Sequence, residues 1–226
     1  QEGADITLVD GGDLVVRSDF EADYSATTRS TPQDTADVGV GPSVSANAMT
    51  QIVKAEIQDA IVTGSETLGP LRSDIKVLAI GEYNANADAT AGASNAINLP
   101  AAVALNYNDF QTIAQTGNAS ASSSINGNLL VDADHDANTT HTADTDSGVV
   151  TTSLGAAMAL GYVDGGAHAS NGMTIDLTDA AGTVTVTADS DTMLNADATS
   201  GQSGAPGPGS GTDPVSEQIE EQLEGL

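Results

Sequence analysis

The residues best suited to chemistry crowd into one stretch of this chain: Asp132, Asp134, His135, Asp136, His141, Asp144 and Asp146. Alternate aspartates offer the hard oxygen ligands that Ca²⁺ or Mg²⁺ takes, and the first three have the spacing that opens an EF-hand loop. The pattern then fails. Ala137 stands where that loop needs its turn glycine, and Ala143 where it needs its bidentate glutamate. What stays open is a looser cation-binding loop formed by Asp132, Asp134, Asp136, Asp144 and Asp146, against the alternative of a solvated acidic loop that holds no ion. A zinc site would require His135, His141 and a carboxylate, with distant His168 as a further ligand, and the short helical spacing of such sites is missing.

Other chemistry finds less support. The chain has no Cys, which removes disulfides, thiolate metal sites and cysteine nucleophiles. No nucleophile elbow, phosphate-binding glycine loop, zinc-protease helix or dinucleotide fingerprint occurs. Sugar-binding tunnels show aromatic platforms, whereas this chain has two Phe, four Tyr and no Trp. A non-enzymatic protein with no required cofactor is expected. Asn118 and Asn138 each begin an N-glycosylation sequon and are candidate modification sites on exposed loops.

Charge narrows the setting. The 32 acidic residues face five basic ones, Arg17, Arg29, Lys54, Arg72 and Lys76, for a net charge of −27. From Val77 to Leu226 no Lys or Arg occurs at all. Such a surface cannot neutralise a phosphate backbone or adhere to an anionic membrane, so nucleic acid is not an expected partner. No apolar run reaches the roughly 20 residues of a membrane-spanning helix, and membrane insertion is not expected. Like charges in this excess oppose compaction at ordinary ionic strength, but at about 1 M salt the Debye length falls to about 3 Å and the repulsion is screened. In its excess of Asp over Glu, scarcity of basic residues and small apolar side chains, the composition resembles that of proteins of extremely halophilic archaea and their viruses. The resemblance implies dependence on K⁺ or Na⁺ for stability.

These residues must be carried on short apolar segments bounded by Gly, Asn, Asp, Ser and Pro, which read as strands. Asp10-Gly11-Gly12-Asp13 and Asp179-Ala180-Ala181-Gly182 read as hairpin turns, the second joining Ile175 and Leu177 to Val184 and Val186. Between residues 46 and 63, Met49, Ile52, Val53, Ile57, Ala60 and Ile61 recur at helical spacing, so a short helix is expected there, although Val53, Ala55 and Ile57 also alternate as a strand would. Asn84 to Asn98, Thr116 to Asn126 and Asp132 to Gly148 read as polar connections at sheet ends, and no internal repeat of fixed period is evident. The fold expected is mainly β, an antiparallel sandwich or jelly roll, occupying residues 1–198.

Residues 199–214 are rich in Gly, Pro and Ser and read as a flexible linker. Beyond it, Val215, Ile219 and Leu223 form one stripe of a short amphipathic helix over 215–226, opposite Glu217, Glu220, Glu221 and Glu224. That stripe is the expected subunit contact. Gln1 in place of an initiator Met suggests a removed leader or processing during assembly, with a fragment of a longer chain as the alternative. The functional expectation is a self-assembling structural subunit of a haloarchaeal virus particle (capsid, tail tube or decoration), with identical copies and other virion proteins as partners. The alternative is a secreted haloarchaeal surface protein, a pilus or adhesin subunit or a solute- or cation-binding module, at the cell surface.

Overall fold

The computed structural model describes residues 4–30, 38–64, 71–92, 97–117, 122–146 and 152–200, and among these no helix occurs. The strands do not pair with their sequence neighbours. Each pairs in parallel with a strand 52 to 61 residues away, so the chain winds as a solenoid. The first coil consists of β1 (Ala4–Leu8), β2 (Leu14–Ser30) and β3 (Val38–Ile57); the second of β4 (Ala60–Gly64), β5 (Ile75–Gly92) and β6 (Ile97–Thr116). The third contains β7 (Ser123–Ile125), β8 (Leu129–Asp146), β9 (Thr152–Ser153) and β10 (Ala156–Asn171); β11 (Ile175–Leu177) and β12 (Val184–Ser200) begin a fourth. Stacking the coils gives a narrow sheet A (β1-β4-β7-β11) and two broad sheets, B (β12-β8-β5-β2) and C (β10-β6-β3).

This corrects the expected antiparallel sandwich or jelly roll. Both predicted turns form, with Gly12 N–H donating to Val9 O at 3.0 Å and Gly182 N–H to Asp179 O at 2.9 Å. They are corners between sheets A and B rather than hairpins: β1 pairs with β4 and β2 with β5, while β11 pairs with β7 and β12 with β8. The expected helix at 46–63 is also overturned. Residues 46–57 belong to β3, Asp59 turns the chain with a φ of 46°, and β4 follows. Met49, Val53, Ala55 and Ile57 face inward, whereas Ile52 is 54% exposed on the outer face. Apolar residues on both faces of one strand thus imitated a helical stripe. Two of the three expected connections are largely strand, since Asn84–Gly92 completes β5 and Asp132–Asp146 completes β8.

The interior changes character along the strands. Leu8, Val62, Ile75, Ile125, Leu129 and Ile57 fill the end where the three sheets meet. An aromatic layer follows, in which Tyr83 stacks on Phe110 with ring centroids 4.5 Å apart. At the far end small side chains separate sheets B and C, with Ala87, Ala89, Ala91, Ala102, Ala104 and Ala143 forming the apolar cluster beside buried Ser43, Ser45 and Thr145.

Corners are joined by a ladder of side chains. Asp13 Oδ1 accepts from Asp74 N–H at 3.0 Å, Asp74 Oδ1 from Asn128 N–H at 2.8 Å, and Asn128 Oδ1 from Thr183 N–H at 3.0 Å. Each residue of the ladder thereby caps a backbone donor of the next coil, which a turn outside the sheets would otherwise leave to solvent. Lys76 Nζ adds a 3.0 Å ion pair to Asp13, and Arg72 reaches Asp179 at 2.7 Å. The Asp13 carboxyl is held below its ordinary range, first by the Asp74 N–H and then by Lys76.

Candidate interaction surface

The alternation of each strand divides the aspartate cluster from the histidines within it. On β8 the odd-numbered residues face inward, burying His135 and His141, and the even-numbered ones face out from sheet B. Asp132, Asp134, Asp136 and Asp144 thus lie in a line along an extended strand, at about 6.6 Å between alternate residues, rather than around a loop. Asp146 ends the same strand. Among the described residues, no three His, Cys, Asp or Glu gather as a metal ion would need. His168 lies on β10, exposed on the outer side of sheet C, while His135 and His141 are sealed inside, so the three do not converge.

Register supplies the aspartates with new neighbours. Asp134 stands beside Asp189, and Glu21, Glu82, Asp136 and Asp191 form one row across all four strands of sheet B. The outer face of this sheet carries most of the chain's described acids. Asn138 lies there too, exposed in mid-strand; of the expected linker Thr199 and Ser200 complete β12, while its remainder, Asn118 and the stripe Val215, Ile219 and Leu223 lie outside the described residues.

The buried histidines meet polar partners only in part. Thr112 Oγ1 lies 3.1 Å from His135 Nδ1, and Asn108 Nδ2 donates to Thr139 Oγ1 at 3.1 Å. His135 Nε2 and both ring nitrogens of His141 have no hydrogen-bond partner among the described residues. Burial pushes the pKa of both imidazoles below the ordinary value, partly opposed at His135 by Asp136 and Asp134. Gly161 makes room for His141: a β-carbon there would overlap the ring and lie 2.6 Å from its Nε2.

Sheet C has the opposite outer chemistry. Its rows read Val38–Ile97, Val40–Leu99, Pro42–Ala101–Ala156, Val44–Val103–Met158, Ala46–Leu105–Leu160 and Ala48–Tyr107–Tyr162. None contains a charge. Val40 is 67%, Val44 57% and Leu160 54% exposed. Tyr107 and Tyr162 stack at the edge of this patch, with centroids 5.1 Å apart. Charge resumes one row on, at Thr50–Asp109–Asp164, followed by an open groove where Gly165 and Gly166, with positive φ, lie in β10 near His168. Over the apolar rows the strands are inside out. Leu99, Val103, Leu105, Met158 and Leu160 point outward, while Ala102, Ala104, Ala157 and Ala159 point in. A contiguous apolar face of this kind marks a surface meant to be covered.

No family model, curated protein or solved structure matches the chain.

The apolar face escaped the sequence reading because alternation alone does not say which set of residues is inside. The available signal was the run of small residues: Ala85, Ala87, Ala89 and Ala91 on β5 match Ala102 and Ala104 on β6, as two sheets packed closely through alanine require.

Proposed function

We propose that the chain is a non-enzymatic structural module of a halophilic extracellular assembly, a cell-surface or virion fibre. It turns an acidic face to concentrated salt and attaches by an apolar one. The observation that carries this reading is the segregation of chemistry between the outer faces of sheets B and C. A wet apolar face would be costly in molar salt, which strengthens apolar association, whereas the carboxylate rows are best tolerated there. Parallel coils also suit a rod better than the closed jelly-roll shell expected from sequence, because stacking extends in one dimension. The buried state of His135 and His141, closed off from substrates, supports a role without catalysis.

Circular dichroism and electron microscopy between about 0.1 and 3 M KCl test the reading. The expected outcome is a thermal midpoint that rises with salt, with ordered pairs or rods at the upper end. A midpoint independent of salt would remove the halophilic setting, and isolated particles at every concentration would remove the assembly.

A further inference from the structure

The outer face of sheet C specifies more than adhesiveness. From Val38 to Ala48 and Ile97 to Tyr107, β3 and β6 give a patch about 33 Å long, which β10 widens over about 20 Å from Ala156 to Tyr162. Two such patches in contact cover about 830 Å² of projected area, and the relief of the side chains carries the buried surface toward the value of about 1,200 Å² where specific interfaces begin. A helix formed by residues 215–226 would be about 18 Å long and 10 Å wide, and would leave more than half of the patch in water. The outer face of sheet B carries most of the described acids, and a second chain of net charge −27 can approach closely only where charge is absent. This patch is such a place.

Its relief is graded across the sheet. Along three adjacent rows the residues on β3 are Val44, Ala46 and Ala48, whereas those on β10 are Met158, Leu160 and Tyr162; the neighbouring row reverses this order, with Pro42 on β3 and Ala156 on β10. We infer that this face is covered by a second copy of the chain, related by a two-fold axis parallel to the strands, so that β10 of each copy lies over β3 of the other. That axis sets large residues on small ones at both edges and apolar rows on apolar rows along the strands. A two-fold axis running across the strands would set Leu160 against Leu160 and Ala46 against Ala46, leaving a wedge-shaped gap. The interface is isologous, closes at two copies and leaves both acidic faces outward. This inference rests on the reading of sheet C as the attachment face.

Sedimentation equilibrium of the full chain in about 2 M KCl tests it. The expected species has twice the 22.5 kDa mass of one chain. Leu160→Asp and Ala46→Lys, both at exposed positions, should each weaken the pair at least about 100-fold with an unchanged circular dichroism spectrum. Combining them should recover the pair to within about 10-fold, since each lysine then meets an aspartate of the other copy. Thr187→Asp, a charge control on sheet B, should leave association unchanged. Recovery failing in the double variant overturns the stated axis, and loss of pairing on removal of residues 201–226 makes that segment the occupant instead. A monomeric parent whose sheet C still binds an apolar dye or floats with neutral lipid vesicles, and loses this in Leu160→Asp, overturns the second copy while keeping the attachment face. A monomer in which Leu160→Asp alters neither property overturns both.

Discussion

Neutralising one carboxylate in the middle of the row Glu21–Glu82–Asp136–Asp191 should stabilise the protein, and should do so mainly when salt is low. The row is in register across sheet B, with neighbouring strands about 4.8 Å apart. Two unit charges at that separation in water repel by about 0.9 kcal/mol. Screening reduces this to about 0.5 kcal/mol at 0.1 M, where the Debye length is about 10 Å, and to about 0.2 kcal/mol at 1 M, where it is about 3 Å. Asp136 has two such neighbours. Asp136→Asn should therefore raise unfolding stability by about 1 kcal/mol at 0.1 M and by about 0.3 kcal/mol at 1 M. Urea unfolding of parent and variant at both salts measures the difference, and Asp176→Asn, a neutralisation on sheet A away from this row, controls for the loss of one net charge. An equal gain at both salts, or the same salt dependence from Asp176→Asn, would refute the proposition that row-by-row repulsion sets the salt requirement.

Acid should destabilise the fold through its buried imidazoles. Their folded pKa values lie below the ordinary value, so the unfolded chain binds more protons; stability is complete above about pH 6.5 and falls as pH drops through the folded values. His141 packs on Gly161 beside Ala87 of the next strand, and burial alone lowers its pKa, so His141→Leu should flatten the decline in urea midpoint between about pH 7 and 5, and an unaltered slope would exclude it as a source. Gly161→Ala should cost about 1–3 kcal/mol by overpacking against the ring, and much of that loss should vanish in combination with His141→Ala; additive effects in the double-mutant cycle would contradict the contact. Asn128→Ala removes the acceptor for Thr183 N–H and for Thr183 Oγ1 at 2.9 Å, and should cost about 1–2 kcal/mol while raising hydrogen exchange in β12 before β5.

The strand content was largely legible in the sequence, and the winding was not. Short segments such as Ile6–Val9 and Leu14–Phe20 announced themselves by β-branched residues and bounding glycines. Asn84–Gly92 and Asp132–Asp146 did not, because Ala, Asn and Asp, which dominate them, are poor strand formers in isolation. They are strands because each is flanked on both sides by in-register neighbours, a property of the stack and not of the segment. The turns at Asp10–Asp13 and Asp179–Gly182 were correctly placed, but a tight turn reads alike whether it joins two strands of one sheet or two sheets of one coil. The repeat was concealed by connections of unequal length: Leu14 pairs with Ile75, whereas Ile75 pairs with Leu129 and Leu129 with Val184. The ladder Asp13, Asp74, Asn128 and Thr183 marks it most clearly once the coils are aligned.

The aspartate cluster shows how topology changes the meaning of a motif. Read along the chain, Asp132, Asp134 and Asp136 suggest ligands converging on a cation; placed on β8 they diverge from one another and gain neighbours from β5 and β12. Carboxylates spread as rows across a sheet hold a layer of screening ions more naturally than one bound metal. The same strand buries His135 and His141, because an alternation of acid and imidazole sends the two residue types to opposite sides. Sheet C applies the rule in reverse, with alanine inside and leucine, methionine and tyrosine outside. An interior packed through alanine brings the sheets close together but buries little apolar area per residue, and the larger side chains on the outer face gain their burial only when something covers them. On the proposed pairing, the stability of this half of the solenoid and its association become one problem, solved by the same side chains.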